Sequence, residues 1–101
     1  MRKIAKIDAN QPHVVAMLRA CGLAVQPLHQ LGRGCPDLLV AGCNRKTDQP
    51  AMVLVELKAD ADGKLTPDEA VWIDAWPCEV LVVWDEWPVL EWFGISEGGP
   101  K

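Results

Sequence analysis

No apolar run in this 101-residue chain reaches the ~20 residues that a membrane-crossing helix needs. The four cysteines, Cys21, Cys35, Cys43 and Cys78, form no Cys-x-x-Cys pair and no zinc-ribbon spacing. The opening Met1-Arg2-Lys3-Ile4-Ala5-Lys6-Ile7-Asp8 is basic and lacks the apolar stretch of a secretory signal. These absences predict a soluble, cytoplasmic protein with reduced thiols, in which Cys21 and Cys78 serve as small apolar core residues. No internal repeat or low-complexity linker interrupts the chain, and the length leaves no room for a second domain of ordinary size. A single domain is expected over residues 1–101, with its core at about 8–94 and a frayed tail over 95–101.

Half of the residues are hydrophobic and the formal net charge is -4, but the charge is unevenly spread. Residues 1–66 hold nine basic groups against six acidic ones, a balance of +3. Residues 67–101 hold Lys101 against eight carboxylates, a balance of -7. Local field steers a polyanion more than total charge does, so the basic part offers a phosphate-facing surface, or else a merely solvated one.

Helical spacing of Val14, Val15, Leu18 and Cys21 predicts a first helix from about Asn10 to Ala20, with Pro12 tolerated in its first turn. Asp8 with Gln11 reads as a capping box, with Asn10 as the alternative cap, and Gly22 ends the helix. Leu23-Ala24-Val25 starts a strand, and the glycines of residues 29–34 mark a loop. Asp37 to Ala41 is a second strand, residues 42–50 a polar hairpin, and Met52 to Lys58 a third strand. Thr66-Pro67-Asp68-Glu69 carries a cap, a first-turn proline and a capping-box glutamate, so a helix is expected to about Trp76, packing Val71, Trp72 and Trp76. Val80 to Trp84 is a fourth strand, and Pro88 opens a last helix with Leu90, Trp92 and Phe93. The order α-β-β-β-α-β-α predicts an α/β fold with one mixed sheet flanked by helices.

Side chains alternate along a strand, so Val53, Val55 and Leu57 form an apolar face while Leu54, Glu56 and Lys58 share the other. A carboxylate and an ammonium at the end of a buried strand need partners. A surface ion pair on an edge strand is one reading. The other involves Asp37: a hairpin joining the second and third strands brings Asp37 towards Glu56 and Lys58. Two adjacent carboxylates repel unless a cation lies between them. All-oxygen ligation suits Mg²⁺ or Mn²⁺, and the backbone carbonyl of Leu57 offers a further oxygen.

Gly34-Cys35-Pro36-Asp37, then Glu56-Leu57-Lys58 nineteen residues on, then Gly63-Lys64-Leu65-Thr66-Pro67 resembles the PD-(D/E)xK nuclease signature. More narrowly it is similar to the VRR-NUC (virus-type replication-repair nuclease) family, over roughly Asp8 to Trp84. The Asp8-Ala9-Asn10-Gln11 opening looks like that of small stand-alone members encoded by bacteriophages. The resemblance implies a restriction-endonuclease-like core and a Mg²⁺- or Mn²⁺-dependent DNA endonuclease. Asp37 and Glu56 would hold the metal, and Lys58 would orient or activate the attacking water. It also implies branched DNA such as Holliday junctions as substrate, cut by a homodimer. An inactive binding or docking module, or a flap or duplex repair nuclease, stands as the alternative.

Two positions depart from the family pattern. A first-helix glutamate is missing, which leaves Gln11 or His13 as candidate auxiliaries. Glu69 stands where a glutamine is common, either as a third carboxylate or as a capping group only. Arg33, His29 and Lys64 are candidate DNA contacts on or beside glycine-bearing loops, against the alternative of solvated charge. The five tryptophans, all in the acidic half, are expected in the core or a subunit interface rather than against DNA bases.

Overall fold

The protein is described here from a computed structural model over residues 9–95. In chain order it runs α1 (Gln11–Ala20), β1 (Ala24–Pro27), a 3-10 turn (His29–Leu31), β2 (Leu38–Asn44), β3 (Gln49–Leu57), α2 (Pro67–Ala75), β4 (Val80–Val83) and α3 (Trp87–Trp92). The strands form one mixed sheet in the order β1-β2-β3-β4, with the first two pairings antiparallel and the third parallel. The last pairing is parallel because α2 carries the chain back across the sheet between β3 and β4, as a crossover must.

The alternation read from the third strand sets the layers. Leu38 pairs with Val55 and Val40 with Val53, and all four are buried. With Leu57 and Val83 they join Val14, Val15 and Leu18 of α1 and Val89, Leu90 and Phe93 from α3 and its end in one core cluster. Fully burying each such side chain contributes about 1.5–3 kcal/mol, so this face carries the stability of a small domain. The opposite face presents Leu39, Met52, Leu54 and Glu56 towards α2.

Several elements differ from the sequence reading. The strands of the hairpin extend to Asn44 and Gln49, leaving a four-residue turn. Asn44 Oδ1 accepts the Lys46 N–H at 2.9 Å and Asp48 takes φ 59°, a turn chemistry that lets polar strand ends keep pairing. Asn10 precedes α1 without capping it. Ile95, expected at the start of a frayed tail, is buried in the core cluster, with its N–H on the Leu90 carbonyl at 2.9 Å. Asp8, the other cap, and the tail from 96 onwards lie outside the described residues. Cys21 is buried as expected, but Cys78 is exposed in the turn before β4. The tryptophans are not core residues: Trp76 is 42% exposed and Trp84 48%, and only Trp92 packs against the core cluster. Helix α2 buries none of its side chains and Val71 faces solvent, because only part of the sheet's second face is covered by it.

Candidate functional site

Continuing the β2–β3 register one step past Leu38–Val55 sets Asp37 opposite Glu56 on the same face of the sheet. Neither is solvent-facing: Asp37 is 6% exposed and Glu56 2%. Asp37 is fixed from two sides. Its Oδ2 accepts the Leu57 N–H at 2.8 Å, and its backbone carbonyl accepts the Leu28 N–H at 2.7 Å. A strand residue turns its N–H and C=O to one side, so the Leu57 carbonyl lies on the edge that faces Asp37.

Lys58 follows directly. Its N–H donates to the Val83 carbonyl at 2.8 Å, which holds the end of β3 to β4. Its ammonium lies 3.3 Å from Glu56 Oε2 and 2.5 Å from Glu69 Oε1. The same Glu69 oxygen accepts the Thr66 N–H at 2.8 Å, while Thr66 Oγ1 accepts the Glu69 N–H at 3.2 Å. Glu69 closes the capping box, and the same side chain grips Lys58, so it is more than a cap without joining Asp37 and Glu56 as a third metal ligand.

Two glycines permit these approaches. Gly34, at φ +84°, lies against the first turn of α2, where a Cβ would overlap the Asp68 carbonyl. The space it leaves beside Asp37 is thus filled by α2, which delivers Glu69. A Cβ on Gly63 would come 2.8 Å from Lys58 Cβ, so that glycine lets the loop fold over the lysine stem.

The charges are strongly coupled. Burial, then the Asp37 charge and Glu69, push the Glu56 carboxyl up to about 9, with Lys58 pulling the other way. Burial opposes the charge on Lys58, yet its bonds to Glu69 and the Glu56 charge win and hold it as ammonium, above its ordinary value. Burial likewise opposes the Glu69 charge, but the Lys58 and Thr66 hydrogen bonds keep its carboxyl below the usual value. Fully ionised, Asp37, Glu56, Glu69 and Lys58 would carry a net charge of -2.

That deficit, an all-oxygen donor set and a buried Glu56 Oε1 with no hydrogen-bond partner fit a hard divalent cation. The oxygens on offer to such an ion would be those of Asp37, Glu56 and the Leu57 carbonyl, with waters needed to complete an octahedron. Among the described residues no group of three or more His, Cys, Asp or Glu side chains is arranged to hold a metal, because the third carboxylate is turned to Lys58.

The other sequence candidates are spread around this centre. Gln11 is buried on the inner side of α1, with its Oε1 unpartnered. His13 is exposed and turned to Glu86, with Nε2 at 3.6 Å from Oε1. Arg33 is exposed at φ 55°, and Lys64 is exposed on the loop before α2. His29 is half-buried, and its Nδ1 has no partner. Sequence reasoning missed the work of Asn10, whose Nδ2 donates to the Lys58 and Trp84 carbonyls at 3.0 Å each. Nothing local signals a bond that spans 48 or 74 residues. No protein-family model, curated protein or solved structure matches this chain. No helix among the described residues is long and apolar enough to cross a membrane.

Proposed function

We propose that this protein is a metal-dependent endonuclease that hydrolyses DNA phosphodiester bonds, acting as a homodimer on branched DNA such as Holliday junctions. The observation that carries this reading is the gathering of Asp37, Glu56 and Lys58 at the paired ends of β2 and β3, with a buried Glu56 oxygen left without a hydrogen-bond partner. The motif resemblance to VRR-NUC nucleases supports it, since the three residues are those that the motif marks.

A Mg²⁺ or Mn²⁺ ion held by Asp37, Glu56 and the Leu57 carbonyl would neutralise charge on the phosphate and acidify a bound water. Lys58 enters as an ammonium, because Glu69 and Glu56 hold its proton. It therefore acts by charge and hydrogen-bond donation, orienting the attacking water or steadying a phosphate oxygen, and not as the base. Glu69 positions it. Arg33, His29 and Lys64 are assigned to the DNA backbone, on the basic part of the chain. The exposed Val82, Trp84 and Trp87, at and after the edge strand β4, give apolar surface for a second copy. Two-fold symmetry would then present two equivalent sites to a junction.

The test is cleavage of junction, flap and linear duplex DNA with Mg²⁺, with Mn²⁺ and with EDTA, using wild type, Asp37→Ala and Lys58→Ala. Junction cutting that needs the ion and falls at least about 100-fold in each variant is expected. Cutting that survives EDTA overturns the metal mechanism. Binding without cutting assigns the chain to a binding module, and a monomer by light scattering at micromolar concentration overturns the dimer.

A further inference from the structure

A cavity of about 420 Å³ lies between α2 and the second face of the sheet, lined by Cys35, Leu39, Leu54, Trp72 and Trp76, with Glu79 also on its wall. Its size falls within the ~300–1,000 Å³ typical of small-ligand sites, and its walls are largely apolar. Trp72 on α2 and Trp76, the residue that follows its end, stack with ring centroids 5.0 Å apart and an interplanar angle of 23°. Since α2 buries none of its side chains, this pair is not spent on the core.

Two neighbours give the cavity a direction. Leu54 and Glu56 point to the same face of β3, two residues or ~7 Å apart, so the cavity adjoins the acidic centre along the strand. Cys35, on the cavity wall, stands two residues before Asp37, so the chain leads from this wall into the acidic centre. On the other side, Trp72 also lines a recess that it shares with Arg33, Asp68 and Val71. The acidity of the second half of the sequence is thus relieved at this point by a guanidinium from the first half. The Asp68 and Glu79 carboxylates keep phosphates off the remaining rim, which suits a flat uncharged ring more than a backbone.

We propose that this cavity receives an unpaired nucleobase of the DNA substrate, stacked on the Trp72–Trp76 pair, with Arg33 taking the phosphate of the same nucleotide. The inference rests on the nuclease reading for its substrate class and refines it: the preferred DNA carries a splayed nucleotide beside the cleaved bond. Base stacking of this kind tolerates any base, so the preference is for unpairedness and not for sequence.

The experiment measures binding of end-labelled forked DNA in EDTA, where no cleavage occurs. A second fork replaces the unpaired residues at the branch by abasic sites. Wild type is expected to bind the abasic fork about tenfold more weakly, as loss of one stacked base implies. Trp72→Ala, Trp76→Ala and the cavity-filling Leu54→Trp are expected to bind both forks alike, at the abasic level, with thermal melting recorded to show that each folds. Arg33→Ala is expected to weaken both forks while keeping the ratio between them.

Equal binding of the two forks by wild type overturns the proposal, as does unchanged discrimination in folded Trp72→Ala and Trp76→Ala proteins. Loss of a dimer in those variants, with discrimination intact, gives the face to a second copy and overturns it too. Failure of wild type to cut any DNA with Mg²⁺ or Mn²⁺ strikes the nuclease reading alone, since base discrimination is read without metal.

Discussion

Removing the charge of Glu56 separates two effects of opposite sign. Its carboxyl is pushed from an ordinary 4.5 up to about 9 by burial and by Asp37 and Glu69. The folded, ion-free protein therefore keeps a proton that the unfolded chain releases. The associated stability is complete below about 4.5 and is lost as pH rises towards 9. Glu56→Gln cannot release a proton, so its melting temperature in EDTA should hold across this range while that of wild type falls. A gap of at least about 5 °C near pH 9 is expected by calorimetry. A wild-type protein whose stability does not fall with pH would show a carboxylate already ionised. In Mg²⁺ or Mn²⁺ the order should reverse in function, with Glu56→Gln losing both ion-induced stabilisation and cleavage. Lys58→Met is a sharper probe of the ammonium than alanine. It keeps the stem under Gly63 while leaving Glu56 and Glu69 without their cation.

At the scale of elements, the contact between Gly34 and α2 is testable. Gly34→Ala places a methyl into the Asp68 carbonyl at a positive φ, so the first turn of α2 must move and take Glu69 with it. Cleavage is expected to fall at least about tenfold, while the core face of the sheet stays intact in its circular dichroism. Asn10 ties α1 to the ends of β3 and β4. Asn10→Ala loses two hydrogen bonds and should cost about 1–2 kcal/mol in a denaturant melt. Asn10→Asp should cost more, because it turns a carboxylate towards two carbonyls. These elements also show what a sequence makes legible. Strand alternation from Val53 to Lys58 and the Thr66-Pro67-Glu69 start are local patterns, and the structure contains both. The meeting of Asp37 with Glu56 followed from one hairpin. The second anchor of Lys58 did not, because a capping box reads the same whether or not a lysine from another strand reaches it. The core placement of the tryptophans fails because apolar periodicity does not say whether a facing layer exists; a subunit interface for them stays open.

For the whole molecule, the proposed function makes the uneven charge the limit on how DNA would approach. Only the part before α2 is basic on balance, so few phosphates can be met by one copy. With Arg33, Lys64 and His29 as the phosphate contacts, the logarithm of affinity should fall with the logarithm of salt at a slope of about -2 to -3 per protomer, checked by fluorescence anisotropy. The sheet with α1 and α3 shares one apolar cluster, whereas α2 is attached by its cap, by Gly34 and by the clasp between Lys58 and Glu69. Such a molecule should open in two tiers. Hydrogen exchange at amides 70–76 should proceed through detachment of that helix, at rates far above those of β3. Thr66→Ala, worth about 1 kcal/mol at a cap, should speed that exchange roughly fivefold and barely shift the main melting transition. Among the described helices, the least tethered thus carries the carboxylate that grips Lys58, and its departure would leave the ammonium to whatever anion comes next.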